Sequence, residues 1–214
     1  MIIKRIICTV KESERATFYE HQKQWKSISK AKGFLGQIGG WNNKQLLTAC
    51  IYSFWESEID YQEFMEREHD QIFVNSGQES TYESINVSLF EEKLSIPGLE
   101  ENIVTIIKAS NYIRVALSQV KEHKIKHFVD IQEKVWNAEM QNSEGMLGGT
   151  FATNQKQNNE FLVLTGWESE DNHQNYMKRN FPKLLKKANP KEDVLDLKGE
   201  QFKVEEAWRV CPIV

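Results

Sequence analysis

Few side chains in this sequence are suited to chemistry. His69 is the strongest candidate. An imidazole titrates near neutral pH and could draw a proton from a phenol. His69 follows Phe64 and Met65 near the edge of a helical stripe, so a half-exposed histidine that caps or pairs locally is the plainer alternative. Phe64-Met65 and Tyr176-Met177 could cradle a flat aromatic ligand, with the Tyr176 hydroxyl orienting it; at helical spacing they also read as ordinary core. Trp55 and Trp167 each open a Trp-Glu-Ser-Glu run just before a helix cap, where a large ring suits an anchor between strand and helix. His123 and His127 lie four apart, but the residues between them are Lys-Ile-Lys, with no carboxylate and two cation-repelling charges. That is not the metalloprotease pattern, and it reads as a solvated helix face. There is no phosphate-binding loop, no Gly-x-Ser-x-Gly and no Cys-x-x-Cys. No metal and no cofactor are therefore expected.

These residues sit in a chain that is written twice. At an offset of 112, Trp55-Glu56-Ser57-Glu58 matches Trp167-Glu168-Ser169-Glu170, Phe64 matches Tyr176, Met65 matches Met177, and Gly33 and Gly36 match Gly145 and Gly148. Further upstream the offset is 110, with Val10-Lys11 against Val120-Lys121 and Phe18 against Phe128. The slip of two fits a small insertion in the first helix of the second copy.

Residues 2–10 and 112–120 are β-branched runs bounded by polar residues and predict strands. A helix follows each, with Ser13 as its expected cap in the first copy and Gly33 or Gly145 as its stop. Hairpins are expected at 34–41 with 46–55, and at 146–153 with 160–167. Both faces of the strand ending at Trp55 are largely apolar, so it should be covered on both sides. Ser57 and Ser169 should cap the second helices. Fourth strands are expected at 86–94 and 200–210.

Each copy thus reads β-α-β-β-α-β, the ferredoxin-like order. The expected fold class is α+β, with two tandem repeats at 1–94 and 111–214 joined by a connector at 95–110. Helices cover one face of such a sheet, and an apolar second face needs a partner. The expected architecture is two sheets packed sheet-to-sheet as an intrachain dimeric α+β barrel. A monomer would then be complete as a pseudo-dimer, with further self-association left open.

Composition excludes several classes. The net charge of −4 and the absence of a basic face argue against a nucleic-acid partner. No apolar run approaches the roughly 20 residues that span a bilayer, and the apolar start lacks a signal-peptide cleavage site. Cys8, Cys50 and Cys211, odd in number and far apart, read as reduced thiols of a cytoplasmic protein.

The arrangement resembles the dimeric α+β-barrel superfamily, and in particular the antibiotic-biosynthesis-monooxygenase-like domains. The resemblance rests on Trp-Glu-Ser closing the third strand, the amphipathic helix after it, and a His 14 residues beyond that Trp, here Trp55 and His69. It covers nearly the whole chain, once per copy. The family includes cofactor-free oxygenases of polycyclic phenols, haem-degrading oxygenases and many proteins without known activity. The resemblance implies a pocket between sheet and helices, lined by Trp25, Phe64, Met65 and His69 in the first copy and by Trp136, Tyr176 and Met177 in the second. The haem-degrading branch needs an Asn on strand one, a Trp in the second helix and a His ten residues later. Here those positions hold Arg5 or Val115, Phe64 or Tyr176, and Val74 or Lys186, so that triad is absent. The expected function is cofactor-independent monooxygenation of a small aromatic or polyketide-like substrate, with His69 as the catalytic base. The alternatives are a small-molecule-binding protein without turnover, whose ligand would be hydrophobic or aromatic, and a purely structural protein of the same fold.

Overall fold

A computed structural model describes residues 1–213. In chain order the main elements begin with β1 (Ile2–Val10), α1 (Arg15–Gln22), β2 (Phe34–Trp41), β3 (Thr48–Trp55), α2 (Glu58–Phe64), α3 (Asp70–Ser76) and β4 (Tyr82–Ile96). Then come α4 (Ile103–Ala109), β5 (Tyr112–Val120), α5 (Ile125–Ile131), α6 (Ala138–Met140), β6 (Met146–Asn154), β7 (Glu160–Trp167), α7 (Glu170–Arg179), α8 (Phe181–Ala188) and β8 (Val194–Lys203). The fold is α+β.

The chain forms two compact units that interleave in sequence. Residues 1–89 and 202–213 make the first, and residues 90–201 make the second. In the first, the strands run in the order β2-β3-β1-β4. β1 and β3 pair antiparallel from Ile2↔Trp55 to Thr9↔Thr48. In the second, the order is β6-β7-β5-β8, and β5 pairs β7 from Tyr112↔Trp167 to Gln119↔Glu160. Both are the ferredoxin-like order. Every residue of β3 is buried, as its two apolar faces require.

Glycine fixes two corners in each unit. Gly33 and Gly145 have φ near +70°, at 68° and 71°, where L side chains are disfavoured, and they turn the chain from the first helix into β2 and β6. Gly36 and Gly148, also at positive φ, accompany a bulge at the start of those strands. Ser57 and Ser169 cap α2 and α7 as expected, each accepting from a backbone N–H three residues on.

Several boundaries differ from the sequence reading. Ser13 caps nothing: it lies inside a 3-10 turn at Glu12–Glu14, entered from Lys11, whose N–H is held by the Thr81 carbonyl. β4 is longer than expected, and its second half, from Phe90, pairs with β6. β8 starts and ends earlier, at Val194–Lys203. Beyond it the chain bends into a 3-10 turn at Glu206–Trp208 because Trp208 is drawn into a cage of Phe18, Tyr19 and Trp41. Val210 then exchanges two backbone hydrogen bonds with Gln37 at the edge of β2.

The two extra residues in the second copy also have a structural origin. After α1 the chain tightens into a 3-10 helix at Lys23–Lys30, whereas after α5 it widens into a π-helical turn at Gln132–Asn137. A π turn holds more residues for the same advance. Among the described residues no helix is long and apolar enough to cross a membrane, and no disulfide joins the cysteines.

Candidate functional site

The first unit encloses a cavity of about 300 Å³ between its sheet and its helices. Strand alternation sends Lys4, Ile6 and Cys8 of β1, with Ile51 and Ser53 of β3, to the cavity floor. The helical layer supplies the roof: Gln22 and Trp25 from the first helical run, and Tyr61, Phe64, Met65, His69 and Phe73 from the second. All four residues expected here, Trp25, Phe64, Met65 and His69, line this one space.

His69 closes a π-helical turn at Met65–His69. That local widening brings its imidazole among the rings of Trp25, Phe64 and Phe73, with centroids 5.5–6.0 Å away. Nδ1 lies 3.0 Å from Asp70 Oδ1. A proton shared with that carboxylate belongs on Nδ1, which leaves Nε2 as the basic nitrogen. Burial lowers the His69 pKa, and the Lys4 ammonium adds to this against the opposing pull of Asp70. The ring is therefore neutral at physiological pH, the state a proton acceptor needs.

Lys4 is the most unusual group in the cavity. It is only 6% exposed. Its Nζ lies 3.5 Å from the Met65 sulfur and 5.6 Å from the centre of the Tyr61 ring, and no carboxylate pairs with it among the described residues. Burial pulls its pKa down to about 8. On the opposite wall a short relay of polar groups runs from Trp25 Nε1 to Gln78 Oε1 at 3.0 Å, and from Gln78 Nε2 to Gln22 Oε1 at 2.8 Å.

The corresponding space in the second unit is nearly filled, with about 60 Å³ left. Arg114 stands where the first unit has Lys4, and Phe181 where it has His69. The Arg114 guanidinium lies 5.5 Å from the centre of the Phe181 ring, which also packs on Trp136 and Tyr176. Of the residues expected to line a pocket here, Trp136 does so, while Tyr176 and Met177 sit in the packed core around Trp167. The Tyr176 hydroxyl is buried without a hydrogen-bond partner among the described residues. His173, in the place of Tyr61, is fully buried against Tyr112 and Trp167 with neither ring nitrogen bonded.

Trp55 and Trp167 are anchors: both are fully buried, and each indole N–H is satisfied by the hydroxyl two residues earlier, Ser53 or Thr165. Half-exposed His127 pairs with buried Asp193 at 2.7 Å, and no cluster of three potential metal ligands exists among the described residues.

Comparison with known proteins places this geometry. Residues 2–90 match the domain of unknown function DUF4937, and residues 111–180 match the antibiotic biosynthesis monooxygenase family. The uncharacterized protein YdbC of Bacillus subtilis is 40% identical over 94 residues, which is 43% of this chain and 79% of the relative. The chain belongs to one family with YdbC, and its second half carries an antibiotic biosynthesis monooxygenase domain. A candidate monooxygenase from Fusobacterium nucleatum superposes with a TM-score of 0.77 at 14% identity, covering 95% of this chain and 91% of the other. One from Lactobacillus acidophilus gives 0.74 at 13%, covering 98% and 95%. At that identity the likeness is one of fold.

Within the first unit, sequence reasoning missed Lys4. The signal was present: Lys4 and Arg5 are adjacent in a strand, so their side chains must leave by opposite faces. Arg5 donates to Asn86 Oδ1 at 3.3 Å, and Lys4 faces the cavity.

Proposed function

We propose that the first unit carries the working site of this monooxygenase-like protein and that it oxygenates an electron-rich, flat aromatic substrate without a cofactor. In this reading the ring slides between Trp25 and Phe64, His69 Nε2 takes a phenolic or benzylic proton, and the resulting anion passes electrons to dioxygen. A C–O bond forms to give a hydroperoxide, which loses water and leaves a carbonyl; dioxygen is the oxidant, and one of its atoms leaves as water. The observation that carries the proposal is the convergence of a neutral, carboxylate-paired imidazole and three aromatic walls on one cavity, at the small end of the roughly 300–1,000 Å³ usual for ligand pockets.

Oxygen uptake with an anthrone-type phenol tests it. The wild-type protein should consume oxygen, and His69→Ala should lower the rate by about 10²–10⁴, the usual contribution of a general base. Uptake unchanged in the variant would remove His69 from the mechanism. A wild-type protein that binds the phenol without consuming oxygen would be a binding protein of the same fold.

A further inference from the structure

We propose that the cavity of the first unit is built for an anionic aromatic ligand whose negative charge pairs with Lys4 Nζ. This rests on the reading of that cavity as the ligand site and names the class of molecule that enters it.

The argument begins with what Lys4 lacks. A buried ammonium normally has a carboxylate beside it, because leaving water without a counter-charge is costly. Lys4 is more than nine-tenths buried, and its neighbours are a thioether and the face of a phenol ring. Those contacts soften the loss of water but carry no negative charge. The other titratable groups lining the space are Cys8 from the floor, Tyr61 and His69 from the roof, and Tyr82 at the rim. Burial raises the pKa of Cys8, Tyr61 and Tyr82, so all three stay neutral, and His69 is neutral as well. The cavity thus holds one positive charge and nothing to balance it.

The second unit shows how the same strand position is settled where little open space remains. Arg114 is capped by the face of Phe181, and the space around it is closed. In the first unit the residue aligned with Phe181 is His69, and the space opposite the cation stays open. An aromatic body would fill the volume among Trp25, Phe64 and Phe73, and its anionic group would complete the charge on Lys4.

Binding of 2-naphthoate and of its neutral methyl ester, followed by calorimetry, tests this. The wild-type protein should favour the carboxylate by at least tenfold, and Lys4→Met should abolish the preference while still binding the ester. Lys4→Gln, which keeps a polar tip, should behave in the same way. At pH 8 and above the wild-type protein should take up a fraction of a proton with 2-naphthoate, seen by comparing buffers of different ionisation enthalpy, because the anion returns Lys4 to its charged form. The Lys4 variants should take up none. Equal binding of the two probes by the wild-type protein, or a carboxylate preference that survives Lys4→Met, overturns the proposal and leaves the cavity reading intact. If neither probe binds, the cavity reading is overturned and this proposal with it.

Discussion

Single residues carry the sharpest consequences of this structure, and His173 shows why. It is fully buried with both ring nitrogens unbonded, and burial, reinforced by Arg114, pushes its pKa down to about 4. In the unfolded chain it titrates near 6.5. Between those values the unfolded state binds more protons, so stability is complete above about pH 6.5 and drains away as the pH falls through 4. The loss should be roughly 2–3 kcal/mol. His173→Phe, which keeps a flat ring and removes the titration, should flatten that part of the profile. Urea unfolding at pH 7 and pH 4.5 measures it, and an undiminished acid loss in the variant would assign the effect elsewhere. The sequence did not flag this residue, because a histidine on an apolar helix stripe looks the same whether its nitrogens are bonded or bare. His69 was easier to see, since its spacing from Trp55 carried family information as well as chemistry.

Whole elements were the most legible part of the chain. β1, β2, β5 and β7 lie where alternation and flanking polar residues put them, because a strand buried on one or both faces writes a strong pattern. The ends of β4 and β8 were not legible. Where a strand stops depends on what pairs with its edge, and those partners are more than 50 residues away in sequence, as with Ile96 and Gly149. Nor does sequence pattern distinguish a 3-10 run from a π turn, although that choice decides which side chains face the cavity. The glycine corners were legible and are testable. A methyl group on Gly33 would meet the Asp60 side chain at 2.5 Å, on backbone already at φ 68°. Asp60 also belongs to the N-terminal cap of α2, which Ser57 anchors. Gly33→Ala should therefore destabilise by about 1–3 kcal/mol, counting the left-handed conformation and the clash together. Thermal unfolding would show it as a lowered midpoint. A loss much below 1 kcal/mol would mean that the Asp60 side chain gives way easily.

At the scale of the whole molecule, the two units share an order of elements and differ in whether the space under their helices is open. Two positions account for much of the difference. Arg114 and Phe181 meet across the second unit, where Lys4 and His69 face a cavity in the first. An open apolar space weakens a fold, by about 24 cal/mol per Å³ in a well-studied cavity series, and an uncompensated cation adds to the strain. A unit selected for stability alone would be expected to close such a gap, as the second has. The double variant Lys4→Arg with His69→Phe would give the first unit the pair found in the second. It should raise the thermal midpoint and abolish binding of both 2-naphthoate and its ester, even though the positive charge is retained. The reciprocal Arg114→Lys with Phe181→His should loosen the second unit by about 2–4 kcal/mol, in the range of large-to-small core substitutions. Urea midpoints for both double variants, alongside calorimetric titration of the first, decide the matter. If the filled first unit is no more stable than the wild type, the cavity is not a sacrifice of stability for binding, and its openness needs another cause.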